Sequence, residues 1–231
     1  MYRLGVWLFT ATAAAAQDPH PCFTTSPNAA PEASIAACSD FLSSDPSDPV
    51  LHADALARRG VAFNETDKLD QSLADLQAAL ELDDDPHYQR MLAWTYRQLG
   101  EYGKAESMYS KVLKVDDHWQ GWLSRCVVRQ DLKRYRAAVR DCEAAVKRAP
   151  ENLDALYFAA RAHNFQDNGA AALPFAERAI ELDPDDVRHH VERGWALFLS
   201  NQLGAAKTAT ERALQQFPQN PDLQDLLTRL D

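Results

Sequence analysis

A repeat of 33 or 34 residues is the feature of this sequence that most constrains its fold. Three series of small or apolar residues follow the same intervals of 33, 33, 34 and 34 residues. They are Gly60, Ala93, Cys126, Ala160 and Gly194; Ser72, Ala105, Ala138, Ala172 and Ala206; and Ala79, Val112, Ala145, Ala179 and Ala213. A repeat of this length predicts structural units stacked along one axis, each of which packs only on its neighbours.

Each unit has the hydrophobic pattern of two amphipathic helices. In one unit, residues 89–99 and 102–115 both have a helical period, and Gly100-Glu101 forms a polar break between them. Small residues recur where paired helices have to approach closely, because a larger side chain would push their axes apart. The sequence therefore predicts a solenoid of helical hairpins.

The unit at residues 89–115 resembles the tetratricopeptide repeat family. Leu92-Ala93 and Tyr96 lie in its first helix, and Gly100 lies at the turn. Trp122 fills the tryptophan position of the next unit, and residues 172–184 resemble the second helix of the family. The resemblance implies an all-α, right-handed superhelical solenoid of helix-turn-helix repeats with N- and C-terminal capping helices. We assign five repeats, at residues 53–85, 86–118, 119–152, 153–186 and 187–220.

The two ends of the chain differ from the repeats. Residues 1–16 have a cation at Arg3, an apolar run and small residues before Gln17, a pattern typical of a signal peptide; an uncleaved anchor is the alternative. Residues 17–52 are predicted to form an arm with one capping helix at 32–43, ended by Asp-Pro pairs. Residues 221–231 carry a leucine stripe and are predicted to cap the other end. Export would place the protein in the periplasm of a bacterial cell envelope or outside the cell, with no membrane span after cleavage.

The four cysteines allow two disulfides, since an exported protein meets an oxidising compartment. Cys22 and Cys38 would fasten the arm to its capping helix. Cys126 and Cys142 lie on the two helices of one hairpin; two buried thiols are the alternative for this pair.

Composition and motifs argue against several function classes. With 34 acidic and 24 basic residues, the net charge is −10, which disfavours nucleic acid as a partner. The sequence contains no P-loop, no Cys-x-x-Cys and no His-Glu-x-x-His motif. We therefore predict no catalytic residues, no cofactor and no metal site. The aspartate runs between units are expected to cap helices rather than to bind calcium.

The family resemblance implies that the first helices of the repeats line a concave groove that holds a partner's peptide or helix. Transferred by register, the predicted groove residues are basic or aromatic: Arg90, Trp94, Arg97, Tyr157, Arg161, Phe165, Arg188, Trp195 and Phe198. The acidic excess would then lie on second helices and loops, for example at Asp75 and Asp141. Such a face favours an acidic, partly apolar protein segment as the ligand. In the alternative interpretation, the tryptophans are packing residues and the arginines are solvated.

Two functions are consistent with these observations. The first is a non-catalytic protein–protein interaction scaffold of the cell envelope. The second is an accessory or regulatory subunit that contacts peptidoglycan or a cell-wall enzyme. The sequence does not identify the partner or predict an oligomeric state.

Overall fold

The computed structural model describes residues 20–44 and 47–231. The predicted signal peptide lies outside these residues. Within them, the regular elements are thirteen helices. In chain order they are α1 (Pro21–Thr24), α2 (Pro31–Ser43), α3 (Pro49–Glu65), α4 (Leu69–Leu82), α5 (Pro86–Gln98), α6 (Tyr102–Val112), α7 (Trp119–Asp131), α8 (Tyr135–Arg148), α9 (Leu153–Asn164), α10 (Gly169–Leu182), α11 (Val187–Leu199), α12 (Leu203–Gln216) and α13 (Pro221–Leu230).

The helices from α3 to α12 form five antiparallel hairpins. We call the first helix of each hairpin an A helix (α3, α5, α7, α9, α11) and the second a B helix (α4, α6, α8, α10, α12). Successive A helices contact one another, whereas no two B helices make contact in the described part of the chain. The A helices therefore lie on the inner, concave side of the stack. The predicted all-α solenoid is confirmed.

The core is a row of small clusters instead of one central core. One cluster lies around Leu76 and Leu92, and another surrounds Ala105 and Tyr109. The predicted close-approach residues are fully buried at Ala93, Cys126 and Ala160. A Cβ atom added at Gly60 would lie 2.8 Å from Leu76 Cγ, so the α3–α4 hairpin has room for glycine alone at this position.

Polar residues start the A helices as predicted. Asp85 and Asp186 accept hydrogen bonds from the amides of His87 (2.6 Å) and Arg188 (2.9 Å). Asp48 does the same for Val50 at 2.9 Å. The Asp48-Pro49 pair, expected to end the preceding helix, thus begins α3 instead, because proline fits the first turn of a helix.

Every A helix is followed, two or three residues after its end, by a residue with positive φ. The turn residue is Gly100 in one hairpin; in the others it is Asp67, Lys133, Asp167 or Asn201, with φ between 55° and 58°. These five positions follow the 33- and 34-residue period. The left-handed conformation normally favours glycine, because it places Cβ close to the following carbonyl oxygen in other residues. The turn therefore repeats in conformation although its residue type changes.

Both ends of the solenoid are covered. At the N-terminal end, α2 packs on α3, and α1 is held near it by the Cys22–Cys38 pair, whose sulfur atoms are 2.15 Å apart. At the C-terminal end, α13 packs on α12 and α11, as the A helix of a further repeat would. Leu223 and Leu226 of α13 are fully buried, so this helix covers the apolar side of the last hairpin.

Two acidic residues that the sequence placed on the outer surface are buried in ion pairs. Asp75 accepts two hydrogen bonds from Arg59, at 2.7 and 2.9 Å. Asp141 accepts the same pair of bonds, at the same distances, from Arg125. The two pairs occupy equivalent positions two repeats apart. The expectation that these aspartates contribute to an acidic exterior is corrected: each joins an A helix to its own B helix.

Candidate functional site: the concave groove

The concave side contains three cavities, and residues of A helices supply most of their walls. The C-terminal cavity, between α9, α11 and the start of α13, has a volume of about 440 Å³. The N-terminal cavity, along α3, α5 and α7, has about 430 Å³, and the middle cavity, between α5, α7 and α9, about 270 Å³. Together they form the surface that we call the groove.

Eight of the nine predicted groove residues line these cavities. The C-terminal cavity brings together Tyr157, Arg161, Phe165, Arg188 and Trp195.

The remaining predicted residues are spread along the groove. Arg90 and Trp94 line the N-terminal cavity, and Arg97 lines the middle cavity. Phe198 is not among the lining residues; it packs edge-on against Trp195, with 5.7 Å between the ring centroids.

The predicted arginines are mostly paired within the protein. Arg97 Nε donates to Asp131 at 2.7 Å, and Arg90 pairs with Asp116. Arg188 donates to Asp186 at 2.6 Å, and the hydrogen bonds from Arg188 hold the pKa of this carboxyl below its usual value. Sequence reasoning missed these partners because Asp116, Asp131 and Asp186 lie at helix ends, outside the inner-face register.

Arg161 differs from the other three arginines. It makes no ion pair with any described residue. Its guanidinium lies over the rings of Phe165 and Tyr157, at 5.2 and 6.0 Å from the centroids. It lines both the C-terminal and the middle cavity, so its charge is available to a ligand in either.

The middle cavity contains more cations than carboxylates. Arg97, Lys133 and Arg161 line it, and Asp131 is the single carboxylate among its lining residues. Lys133 is exposed and has no ion pair within the described ranges. The basic character that the sequence predicted for the whole groove is therefore concentrated here.

The floor of the C-terminal cavity contains two buried polar residues, of which Asn164 lies in the inner-face register and Glu192 was not identified from the sequence. Glu192 is 7% exposed and Asn164 8%. Asn164 Nδ2 donates to Glu192 Oε2 at 2.8 Å and to the Glu192 carbonyl at 3.0 Å. Burial raises the pKa of Glu192 to about 7, although Asn164 and Arg161 oppose the shift. The repeat register contained a signal: the equivalent positions are Arg58, Met91, Ser124 and Phe158, so Glu192 is the one acidic residue in this series.

The second predicted cysteine pair lies beneath the middle cavity. Cys126 of α7 and Cys142 of α8 are both fully buried and, like Cys22 and Cys38, lie at disulfide distance. Gln130 Nε2 lies 3.3 Å from Cys126 Sγ and donates to the Phe158 carbonyl at 3.1 Å. The pair thus supports the wall that Gln130 and Phe158 contribute to this cavity.

The described part of the chain forms neither a metal centre nor a membrane span. No group of three or more His, Cys, Asp or Glu side chains there has an arrangement that would hold a metal ion. None of the described helices combines the length and the apolar character that crossing a membrane requires.

Comparison with solved structures identifies the same architecture. YrrB, described as a TPR protein with an unusual peptide-binding site, superposes with a TM-score of 0.69 at 16% identity, over 83% of this chain and 97% of that one. A tetratricopeptide repeat protein from Parabacteroides merdae has a TM-score of 0.69 at 18% identity, over 90% of this chain and 82% of that one. For residues 41 to the end of MamA from Desulfovibrio magneticus RS-1, the values are 0.68 and 19%, over 76% of this chain and 98% of that one. At these identities the similarity concerns the fold.

Sequence comparison supports the assignment independently. Comparison with curated protein sequences finds no match. Three family profiles, each described as Tetratricopeptide repeat, match residues 90–118, 127–187 and 166–230. These matches cover more than half of the chain and coincide with helices α5 to α13, where the A helices form the groove. The chain therefore belongs to the tetratricopeptide repeat family, a fold that serves as a scaffold for protein–protein interaction.

Proposed function

We propose that this protein is a non-catalytic scaffold of the bacterial cell envelope that holds a segment of a partner protein in its concave groove. The observation that carries the proposal is the position of Arg161. It is a cation without an ion pair among the described residues, it is stacked on two rings, and it lines two adjoining cavities. Arginine and aromatic residues in a concave, half-buried setting are typical of interface hot spots.

The middle cavity favours an acidic side chain in the bound segment. Lys133 and Arg161 have no internal carboxylate to neutralise them, so a partner carboxylate would gain charge-assisted hydrogen bonds without breaking an existing pair. At Arg90, Arg97 and Arg188, by contrast, a ligand would compete with Asp116, Asp131 and Asp186. We therefore place the acidic part of the partner segment at the middle cavity.

The cell-envelope location rests on two supports. The pattern of Met1–Gln17 is that of an export signal. Both cysteine pairs lie at disulfide distance, as expected for a protein that folds in an oxidising compartment.

The groove proposal can be tested by photo-crosslinking the protein in its native envelope and quantifying the captured partners by mass spectrometry. Arg161→Glu should reduce the recovery of groove partners about tenfold or more, because it reverses a charge at a hydrogen-bonding hot spot. Arg140→Glu is the matched control: Arg140 is exposed on α8, has no ion pair within the described ranges and lines none of the three cavities. Equal recovery from the two variants would refute the proposal.

A binding assay on cell-wall sacculi distinguishes the scaffold from the second function. An accessory subunit that contacts peptidoglycan would bind purified, protein-free sacculi. In the crosslinking experiment, Arg161→Glu would then leave the captured protein partners unchanged.

A further inference from the structure

The floor of the C-terminal cavity contains hydrogen-bond acceptors without donors. Glu192 makes no ion pair with a described residue. Among the described residues, its carboxyl group accepts one hydrogen bond, at Oε2 from Asn164 Nδ2. Oε1 accepts no hydrogen bond from a described residue, and the buried Asn164 Oδ1 has no partner either. A buried carboxyl that lacks a counter-ion is costly to a fold unless a ligand uses it. The raised pKa of Glu192 is consistent with this environment.

The charge around this floor is negative. Besides Glu192, the carboxylates of Asp167 and Asp222 line the cavity, and neither is paired in the described structure. Of the two lining cations, Arg188 is held by Asp186 at 2.6 Å. Arg161 is therefore the single uncommitted cation, and the C-terminal cavity differs in sign from the middle cavity beside it.

We propose that the C-terminal cavity binds a lysine side chain of the partner segment, with the ammonium group on Glu192 Oε1 and the methylene stem against Trp195 and Tyr157. This inference rests on the proposed groove function and adds a specificity to it. The bound segment would carry a basic residue in the C-terminal cavity and an acidic residue in the middle cavity, which fixes its direction in the groove. The volume of about 440 Å³ accommodates a lysine side chain together with adjacent backbone.

The geometry favours lysine over arginine. A guanidinium group binds a carboxylate best through two parallel bonds, and these need both oxygen atoms. Since Asn164 already occupies Oε2, Glu192 offers one oxygen, which suits the point charge of an ammonium group. Lysine also buries its apolar stem on hydrophobic surface, and the rings of Trp195 and Tyr157 provide it.

Lysine binding should become tighter from pH 6 to pH 8, because Glu192 then ionises. Arg161 of α9 favours the ionised form, whereas burial and Asp222 of α13 favour the neutral form. On α11 itself, Arg188 and His189 lie one turn before Glu192, and His190 and Arg193 are near it in sequence; on α9, Tyr157 also interacts with its charge. No residue of α10 or α12 is among the lining residues. A bound ammonium would add a charge that favours ionisation, so binding and proton release are coupled.

The test uses the full-length exported protein and a phage-displayed library of random twelve-residue peptides. Selected peptides should be enriched in lysine at one position, with an acidic residue at a constant distance from it. Replacing that lysine by glutamine in a synthetic peptide should weaken binding about tenfold or more at pH 8, the usual effect of losing a charged hydrogen bond. Arginine at the same position should restore only part of the affinity.

Glu192→Gln should lower the affinity for the lysine peptide by a similar factor and remove its preference over the glutamine peptide. Glu181→Gln, an exposed carboxyl on α10 outside the groove, is the matched control. Thermal unfolding of each variant shows that the fold is intact. If Glu192→Gln binds the lysine peptide as tightly as the wild type, or if selected peptides lack lysine, the lysine proposal is overturned while the groove function stands.

A library that yields no peptide dependent on Arg161 would instead contradict the proposed groove function. The lysine proposal is tested without a peptide by titrating Nα-acetyl-lysine methylamide and following the indole NH of Trp195 by NMR, with the norleucine analogue as the control. A saturable shift with the lysine probe alone supports the pocket; identical behaviour of the two probes overturns it.

Discussion

Buried carboxyl groups have opposite environments in the middle of the solenoid and at its C-terminal end: among the described residues, the first is paired with cations and the second is not. In the α7–α8 hairpin, Asp141 is 2% exposed and accepts hydrogen bonds from Arg125 and from Arg129, the latter at 2.8 Å. At the C-terminal end, Glu192 is buried with one amide partner and no cation within 4.0 Å in the described structure. Both residues are largely buried, yet only Asp141 has a cation partner within the described structure.

This difference separates polar groups that hold helices together from polar groups that are left for a ligand. A buried ion pair with complete hydrogen bonding joins its elements, whereas an unpaired buried carboxyl destabilises the fold. If this difference is correct, replacing Asp141 should lower the free energy of unfolding. Replacing Glu192 should raise the free energy of unfolding and remove ligand binding.

The largest effect is expected from Asp141→Asn. The change removes the counter-ion of Arg125 and leaves Arg129 with Glu106 as its remaining partner, and breaking a buried pair in this way costs about 3 to 5 kcal/mol. Urea unfolding followed by circular dichroism measures the loss. Glu181→Ala, which removes one of the two exposed partners of Arg178, should cost less than about 1 kcal/mol. Similar losses for the two variants would contradict the structural role of Asp141.

The Cys126–Cys142 pair should also stabilise the middle hairpin. Its 16-residue separation corresponds to about 3 kcal/mol of loop-closure entropy in the unfolded chain. The double variant Cys126→Ala/Cys142→Ala should therefore unfold at lower urea concentration than the wild type under oxidising conditions. As a control, the wild type is unfolded in a reductant that cleaves both pairs and is compared with a variant lacking all four cysteines. These two proteins should unfold at the same urea concentration.

Glu192→Gln should stabilise the fold, and the size of this stabilisation should depend on pH. Near pH 4, Glu192 is protonated in both states, so the variant and the wild type should be similar. Above its ordinary pKa of 4.5 the unfolded chain ionises first, and the wild type loses stability until the folded pKa of about 7 is reached. At pH 8 the variant should be more stable by up to about 3 kcal/mol. A stability difference that does not change between pH 4 and pH 8 would argue against a raised pKa.

The smallest effect concerns the helix that closes the C-terminal cavity. In Gly194→Ala the new methyl group would lie 2.6 Å from Leu226 Cδ2, so the Leu226 side chain or α13 has to shift, at a cost of about 1 to 3 kcal/mol. Gly204→Ala meets no atom within 4 Å and should stabilise α12 by about 0.5 to 1 kcal/mol. Thermal unfolding of both variants gives the comparison; equal melting temperatures would show that α13 is not packed as described.

The repeat period predicted much of the fold because it reflects contacts between near neighbours in the chain. Ala93, Cys126 and Ala160 lie where paired helices meet, and each is fully buried as the period indicated. The cysteine pairs were predictable for the same reason, since each joins residues 16 positions apart on elements that pack together.

The electrostatics of the groove were predicted less completely. The inner-face register placed eight of nine residues on cavity walls, but it considered one helix at a time. Asp131 neutralises Arg97 across two A helices, and Asp154 approaches Arg188 at 3.4 Å in the same way. The separation of charge into a basic middle cavity and an acidic C-terminal cavity follows from such contacts between successive repeats.

The sequence by itself determined the architecture of this protein: the period, the paired amphipathic helices, the capped ends and the residue types of the inner face. These properties are local, because a solenoid is stabilised by contacts within a repeat and between adjacent repeats. Only the tertiary structure decided which inner-face charges remain without a partner. Pairing depends on distances of a few ångströms between side chains of different repeats, and these distances leave Arg161 and Glu192 without an ion pair in the described part of the chain.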